Sequence, residues 1–348
     1  MKKILTLAAM AALMVSALSC GNQGNKKAAV PAYKVVEASQ VDLSTFPVDE
    51  DGYIVLFDGS STKGWRGYGK ESLPQRWSID EGALKFSGSG SGEGQTGEGG
   101  DVIFAHQFKN FTLEMEWKIS KGGNSGIFYL AKEVTTKDEN GNERYEPIYI
   151  SAPEYQVLDN ANHPDALLGV DGNRQSASLY DMIPAVPQNQ NPYGEWNKVK
   201  ILVYKGTVVH FQNDVKVLEY HLWTQQWTDM LQASKFSQKD WPLAFELLNN
   251  CGGENHEGYI GLQDHGDDVW YRNIRIKLMD SSYENSLFDP CRRGHGIRRL
   301  QPRGTGSGKE GYVRADVFCT QYPQQGQLCR CPEADRRLGL HRRGSRQL

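Results

Sequence analysis

The feature that most constrains the fold is an unbroken alternation of apolar and polar residues along 111–120. Apolar side chains occupy every odd position from Phe111 to Ile119, and polar side chains occupy the even positions. Successive side chains of a β-strand point to opposite faces, so this pattern predicts an antiparallel strand with one face in the core and one in water. Period-two stretches recur at 77–86, 199–220 and 270–278, with turn residues between them. The chain between residues 50 and 280 is therefore predicted to be all-β.

One segment, 224–236, departs from this period and is predicted to be a single short helix capped by Thr224. Many short strands, one helix and eight tryptophans inside the domain predict a jelly-roll β-sandwich. Trp117 and Trp270 are assigned to its core. In such a fold one sheet curves around a groove, where aromatic rings stack on sugars while amides and carboxylates bind the hydroxyls.

Residues 1–20 are predicted to be a signal peptide rather than part of the fold. Lys2 and Lys3 precede an apolar stretch, 4–17, that is too short to span a bilayer as a mature helix. Small residues before Cys20 resemble a lipoprotein signal, which predicts an exported protein, lipid-anchored at Cys20 in the bacterial cell envelope (periplasm or outer membrane). A plain secretory peptide is the alternative. Residues 21–50 are then predicted to be a flexible tether.

The C-terminal segment, 281–348, differs sharply in composition from the rest. From Cys291 onward the chain has twelve Arg, one Lys and a net charge of +9, whereas residues 1–290 have six Arg, twenty Lys and a net charge of −12. A basic arm and a metal site of His295 with tail cysteines are two interpretations. The switch from Lys to Arg favours a third, a disordered Arg/Cys-rich extension derived from a change of reading frame. The acidic charge of the domain argues against nucleic acid as its partner.

Two other features carry little functional information. Cys251 is the only cysteine of the domain, so the domain has no internal disulfide. The stretch 87–100 is rich in Gly and Ser but lacks the Lys-Ser/Thr pair and the helix of a phosphate-binding loop. It is predicted to be a flexible loop.

The segment 153–165 concentrates the groups best suited to chemistry. It is predicted to be a strand in which Glu154 and Gln156 share a polar face, followed by a turn that contains Asp159 and His163. A polar strand face beside an apolar one indicates the wall of a cleft. The alternative is a solvated sheet face and an Asx-type turn.

Seven motifs, taken in order, resemble a known family. They are Leu56-Phe57-Asp58-Gly59, Gly64-Trp65-Arg66-Gly67-Tyr68, Gly122-Gly123-Asn124-Ser125-Gly126-Ile127-Phe128-Tyr129, Glu154-Tyr155-Gln156-Val157-Leu158-Asp159-Asn160, Ser178-Leu179-Tyr180-Asp181, Gly194-Glu195-Trp196-Asn197 and Gly261-Leu262-Gln263-Asp264-His265-Gly266. Together they resemble the 3-keto-disaccharide hydrolase domain family, from about Gly52 to Leu278. The resemblance implies a concanavalin-like jelly roll of the lectin and glucanase type. The charged insertion 135–145 and the tail depart from the family.

The resemblance also implies an activity on glycosides that carry a ketone at carbon 3, cleaved by hydrolysis or by 1,2-elimination. The ketone acidifies the proton on carbon 2, and the resulting enolate expels the group on carbon 1. Such an enzyme needs a base, an acid for the leaving oxygen and an electrophile for the enolate oxygen.

Candidate residues follow from the resemblance and from the strand pattern, which places Gln263 and His265 on one strand face. The candidate catalytic residues are Glu154, His265, Asp159 and His163, with Glu154 or His265 as the base or the acid. The candidate substrate-binding residues are Asn124, Gln156, Tyr180 and Gln263.

Other roles stay open for the acidic residues. Glu154, Asp159 and His163 are also candidate ligands of a divalent cation, the one cofactor under consideration. Glu154 and Asp159 are a candidate carboxylate pair for ordinary glycoside hydrolysis, although the Glu-x-Asp-x-x-Glu strand of jelly-roll glucanases is absent.

Structural roles are the alternatives for the remaining candidates. Asn124 fits a turn that leads into a strand, His265 fits a hairpin cap, and Tyr180 fits a structural corner. At the level of the whole domain, the alternative to an enzyme is a non-catalytic carbohydrate-binding module on the cell envelope. The clustered carboxylates and histidines favour the enzyme.

Overall fold

The computed structural model describes residues 29–88 and 98–279. Sixteen strands and two α-helices are found there, with three short 3-10 helices at Leu43–Thr45, Ile148–Ile150 and Pro164–Leu167. The helices are α1 Gln225–Ala233 and α2 Pro242–Asn249. The strands are β1 Tyr33–Val36, β2 Ile54–Phe57, β3 Trp65–Gly67, β4 Trp77–Asp80, β5 Ala83–Phe86, β6 Val102–Phe108, β7 Phe111–Ile119, β8 Asn124–Ala131, β9 Glu133–Lys137, β10 Glu143–Tyr145, β11 Glu154–Leu158, β12 Asn197–Tyr204, β13 Thr207–Gln212, β14 Val215–His221, β15 Gly258–Leu262 and β16 Val269–Leu278.

Two antiparallel sheets form the sandwich that the alternation predicts. The larger sheet has the order β14-β13-β12-β7-β16-β5-β4, with β2 also paired to β16, and the smaller has the order β11-β8-β15-β6-β3. Inward side chains of both sheets form one apolar core, in which Leu113 and Ile201 of the larger sheet join Ile127 and Tyr155 of the smaller. This architecture confirms the all-β jelly-roll prediction.

The hairpins lie where the sequence predicts them. Strands β4 and β5 are joined through Glu81 and Gly82, and β12 and β13 through Lys205 and Gly206. All four turn residues have positive φ, between 47° and 85°. Two-residue turns with positive φ match the twist of the flanking strands, which is why they fix these hairpins in register.

A bulge in β16 places one tryptophan on the face of the strand opposite to the predicted one. The register shifts between Arg272 and Arg275, and Asn273 has a φ of 52°. The extra residue reverses the alternation, so Tyr271 lies in the core while Trp270 faces outward. The assignment of Trp270 to the core is therefore wrong, and that of Trp117 is confirmed.

The helices differ from the prediction in number. Helix α1 lies inside the predicted segment, and the Thr224 hydroxyl accepts a hydrogen bond from Trp227 N–H as its cap. Helix α2 was not predicted, so the expectation of one helix is wrong. Pro242 lies in its first turn, a position that tolerates proline. Most of its residues are apolar and buried, so the helix has no amphipathic pattern by which the sequence could predict it.

The N-terminal boundary of the domain also differs from the prediction. Strand β1 pairs with β9, which with β10 completes a three-stranded sheet. Phe46 is buried in the main core. Residues 33–50 are therefore part of the fold rather than of the predicted 21–50 tether, and the charged insertion supplies the hairpin on which β1 pairs.

The remaining predictions about segments fall on residues that the structure does not describe. These are the signal peptide with Cys20, most of the Gly-rich loop (89–97) and the tail from 280 onward. Within the described ranges, no helix has the length and apolar character that crossing a bilayer requires.

Candidate active site

A pocket of about 210 Å³ lies on the outer face of the smaller sheet. Strand β11 builds its floor through the predicted alternation, because Tyr155 and Val157 enter the core while Glu154 and Gln156 face outward. The lining residues are Asn124, Tyr149, Glu154, Gln156, Tyr180, Lys235, Trp241, Gln263 and His265. Six of these were candidates from the sequence, and the fold brings them together from four separate segments of the chain.

The Glu154 side chain packs against Gly126 of the neighbouring strand, where any larger residue would clash with it. A Cβ atom added to Gly126 of β8 would lie 2.3 Å from Glu154 Oε1. The carboxylate therefore lies directly against the backbone of β8. Glu154 is 7% exposed, so its side chain is sheltered from bulk water.

His265 is held by an amide and stands beside a second imidazole. The Asn124 side-chain amide donates to His265 Nε2 over 3.2 Å, an arrangement that leaves the ring proton on Nδ1. The rings of His163 and His265 meet edge to face with centroids 6.2 Å apart. His163 thus lies next to the pocket without lining it.

His163 has a structural role at the start of a 3-10 helix. Its Nδ1 accepts a hydrogen bond from Asp165 N–H at 3.1 Å, which places its own proton on Nε2. Partial burial, and then the neighbouring His265, lower the pKa of His163 below its ordinary value. His163 is therefore neutral at neutral pH.

Tyr180 is fixed by a network of charged groups. Its hydroxyl donates to Asp165 Oδ2 at 3.0 Å, and Arg174 bridges Asp165 and Asp181 with contacts of 3.0 and 2.7 Å. Burial, followed by the charges of Glu154 and Asp165, raises the pKa of Tyr180 above its ordinary value. Tyr180 thus stays protonated, and because its proton is donated to Asp165 it offers the pocket an acceptor oxygen and an aromatic surface.

Two buried amide oxygens in the pocket have no hydrogen-bond partner among the described residues. They are Oδ1 of Asn124 and Oε1 of Gln263, whose side chains are 5% and 4% exposed. Gln156 differs, because its amide donates to the Arg174 carbonyl and accepts from Val157 N–H. Gln156 is therefore engaged with the backbone, while the other two amides retain unused acceptors.

The structure contradicts the cation site predicted from Glu154, Asp159 and His163. Within 29–88 and 98–279, no three His, Cys, Asp or Glu side chains are grouped as metal ligands would be. Asp159 instead organises its own turn, since it accepts from Gly122 N–H and the Asn162 amide, at 2.8 and 2.7 Å. This donor set does not fit a metal ion, and Asp159 does not line the pocket.

Two structural alternatives for the candidates are also decided by the geometry. Asn124 is the first residue of β8 rather than part of a turn. The turn at Gly266 is held by Asp264, whose Oδ1 accepts from Gly266 N–H at 2.9 Å. Asn124 and His265 both line the pocket.

Three lining residues were not found from the sequence. Tyr149 and Trp241 meet edge to face with centroids 6.0 Å apart, and they form an aromatic wall. The Lys235 ammonium lies 4.4 Å from the Tyr180 ring centroid. Trp241 is visible in the sequence only as a tryptophan, and no periodic pattern around it indicates which way its side chain points.

Comparisons with known proteins agree with this architecture. The 3-keto-alpha-glucoside-1,2-lyase-like domain family matches residues 52–277. A 3-keto-disaccharide hydrolase of Bacteroides thetaiotaomicron is 72% identical over 258 residues, which cover 74% of this chain and 89% of that protein. A solved structure from Parabacteroides distasonis, a proposed glycosyl hydrolase, shares the fold with a TM-score of 0.51 and 24% identity over 66% of this chain and 95% of its own. The family that the motifs predicted is thereby confirmed: the chain belongs to the 3-keto-alpha-glucoside-1,2-lyase-like domain family and is a glycoside-cleaving enzyme.

Proposed function

We propose that this enzyme cleaves glycosides whose sugar ring carries a ketone at carbon 3, and that it begins by removing the proton on carbon 2. One observation carries the proposal: a carboxylate, Glu154, and an imidazole, His265, line the same small pocket. The pocket is smaller than the roughly 300–1,000 Å³ of sites for drug-sized ligands, which suits a single sugar ring. Its aromatic wall can pack against the apolar C–H groups of a sugar ring, and its buried amides can bind the hydroxyl groups.

The chemistry requires one base and one acid. The C2–H bond breaks and its proton passes to the base, while its electrons become the enolate of the C3 ketone. The enolate then forms the C1–C2 double bond as the C1–O bond breaks, and the leaving oxygen takes a proton from the acid. Addition of water to the double bond makes the net reaction a hydrolysis, and release of the unsaturated sugar makes it an elimination.

The hydrogen bonds favour one division of these roles. His265 carries its proton on Nδ1 because Nε2 accepts from Asn124, so it can donate to the leaving oxygen. Tyr180 stays protonated and cannot act as the base. Glu154 is then the base at carbon 2, and Gly126 is the residue that lets it reach the pocket floor. A pair of carboxylates for ordinary hydrolysis is disfavoured, because Asp159 is engaged in its turn.

The proton transfer is tested by incubating the enzyme with a 3-keto-glucoside in D₂O and following early products by NMR. Deuterium at carbon 2 of released 3-keto-glucose indicates elimination followed by addition of water. An unsaturated keto-sugar indicates elimination alone. Release of 3-keto-glucose without deuterium, or equal cleavage of the unoxidised glucoside, would contradict the proposal.

The residue assignment is tested by substitution. Glu154→Gln and His265→Ala are each expected to lower kcat by at least about 100-fold, the scale of general acid–base catalysis. Glu139→Gln, an exposed carboxylate between β9 and β10, is the matched control and is expected to keep full turnover. Full turnover in both pocket variants would refute the assignment.

The proposal includes a place in the cell. We infer that the protein is exported and held by a lipid on Cys20, with a carbohydrate as its partner in the envelope. Metabolic labelling with palmitate tests this inference, because wild-type protein should incorporate the label and Cys20→Ala should not. Equal labelling of the two proteins would argue against it.

A further inference from the structure

The two unpartnered amide oxygens of the pocket point to a specific requirement on the ligand. Asn124 Oδ1 and Gln263 Oε1 are buried, and neither accepts a hydrogen bond from a described residue. A buried acceptor without a partner is destabilising, so native proteins rarely keep one unless a ligand or a water satisfies it. Two such atoms in one small pocket define a surface that binds donors.

Lys235 has the opposite polarity to these two amide oxygens. Lys235 offers only donors, and its ammonium lies over the rings of Tyr180 and Phe236 at 4.4 and 5.0 Å. A ketone oxygen can accept hydrogen bonds but cannot donate them. It therefore cannot satisfy either amide oxygen, whereas it can accept a hydrogen bond from the Lys235 ammonium.

We propose that Asn124 and Gln263 each accept a hydrogen bond from a different hydroxyl of the sugar ring, and that this pair orients the ketone toward Lys235. The inference rests on the proposed function and deepens it. The substrate class is a 3-keto-pyranoside that retains at least two free hydroxyls on the oxidised ring. A ring with both of these hydroxyls removed or alkylated is rejected, because the amide oxygens stay buried and unpaired.

Binding of an inert probe tests the proposal without cleavage. The probe is 1,5-anhydroglucitol oxidised to the ketone at carbon 3, which has no leaving group, together with its 2-, 4- and 6-deoxy forms. Calorimetry with the wild-type enzyme is expected to show that two of the three deletions weaken binding at least tenfold each, a difference of about 1.4 kcal/mol.

The variants assign each hydroxyl to its amide. Each variant lacks one acceptor, so removal of the hydroxyl that binds this acceptor should no longer weaken binding. We expect Asn124→Leu to abolish the effect of one of the two deoxy substitutions and Gln263→Met to abolish the effect of the other. A purely structural role would weaken all four probes equally and leave both penalties in place, which would overturn the proposal. Gln225→Met, an exposed amide of α1 that contacts Asp229, is the matched control and should leave every affinity unchanged.

A conservative variant separates the acceptor from the shape of the side chain. Asn124→Asp keeps an oxygen at this position, so its hydroxyl penalty should persist. If Asn124→Asp loses that penalty as Asn124→Leu does, the amide nitrogen makes the contact and the acceptor assignment is wrong. Failure of the proposed function has a different signature: the wild-type enzyme would neither bind the full probe nor cleave any 3-keto-glycoside.

Discussion

Glu154 and its neighbour Tyr155 show how a single strand serves both the pocket and the core. One side chain lines the pocket and the next packs between the sheets, where Tyr155 is fully buried. This alternation is the reason that the polar face of β11 was predictable from the sequence. Lys235, Tyr149 and Trp241 were not, because they come from irregular segments whose positions depend on tertiary packing.

Gly126 is expected to control the position of the Glu154 carboxylate, which we propose to be the base. Gly126→Ala would place a methyl group against Glu154 Oε1, and the carboxylate would move because it is the free end of a side chain. We expect kcat to fall at least tenfold while the circular dichroism spectrum is retained. In Gly261→Ala, the added methyl would first meet Ile148 Cδ1, so a loss of stability without a comparable loss of turnover is the expected control. Unchanged turnover in Gly126→Ala would exclude this positioning role.

Asp159 is expected to affect stability more than chemistry. Asp159→Asn removes one acceptor from a buried turn, where Asp159 Oδ2 accepts two hydrogen bonds. The free energy of unfolding should fall by about 1–3 kcal/mol. Urea denaturation and steady-state kinetics measure the two effects separately. A loss of kcat as large as that of Glu154→Gln, at unchanged stability, would mean that Asp159 takes part in the reaction.

At the scale of elements, a buried polar chain joins β8, β13 and β14. His210 Nδ1 donates to the Ala177 carbonyl at 3.0 Å, so its Nε2 accepts from the Tyr129 hydroxyl at 2.7 Å. The Tyr220 hydroxyl in turn donates to Tyr129 at 2.5 Å. The chain ends at the loop that carries Tyr180 to the pocket, and so it connects the core to the site.

This chain predicts a pH dependence of stability. Burial lowers the pKa of His210 to about 4, from an ordinary value near 6.5. The contribution of neutral His210 to the free energy of unfolding is fully present above about pH 6.5. It declines as the pH falls toward 4, because in that range only the unfolded chain takes up the proton. At pH 5 the loss is about 2 kcal/mol relative to pH 7.

The measurement is the free energy of unfolding in urea at pH 7 and pH 5. In His210→Asn the difference between the two pH values should be smaller than in the wild type by about 2 kcal/mol. Carboxylates contribute equally to both proteins, so the comparison isolates His210. An identical pH dependence in the two proteins would mean that His210 takes up its proton at the same pH in the folded and the unfolded chain.

The elements also show where prediction from sequence reaches its limit. Strand β7 and the hairpins were predictable because period two and turn residues are local signals. The bulge at Asn273 was not, since nothing local distinguishes a strand with an extra residue from one without it. Helix α2 was missed because burial of nearly its whole surface removes the amphipathic pattern.

At the scale of the whole molecule, the domain begins earlier than the predicted boundary at residue 51. Residues 29–50 lack a long hydrophobic period, yet β1 pairs with β9 and Phe46 enters the core. Long-range pairing of a short strand leaves no trace in a local pattern, so this boundary was not predictable. The match to the family model likewise starts only at residue 52.

This boundary predicts the effect of truncation. A chain that starts at residue 51 loses β1 and Phe46, and its free energy of unfolding should be at least about 3 kcal/mol below that of a chain starting at residue 29. Both chains should share one C-terminus, and thermal and urea unfolding compare them. Equal stability would show that residues 29–50 are dispensable and that the tether interpretation is correct.

The alternation in β11 restricts how such an enzyme can evolve. A shift of β11 by one residue relative to β8 would turn the carboxylate inward among the rings of the core and expose Tyr155 instead. Length changes that cause such a shift are therefore lethal to activity and folding at once. Variation in substrate preference among descendants of this protein is expected to accumulate in the segments that carry Tyr149, Lys235 and Trp241, which lie outside the five-stranded sheet.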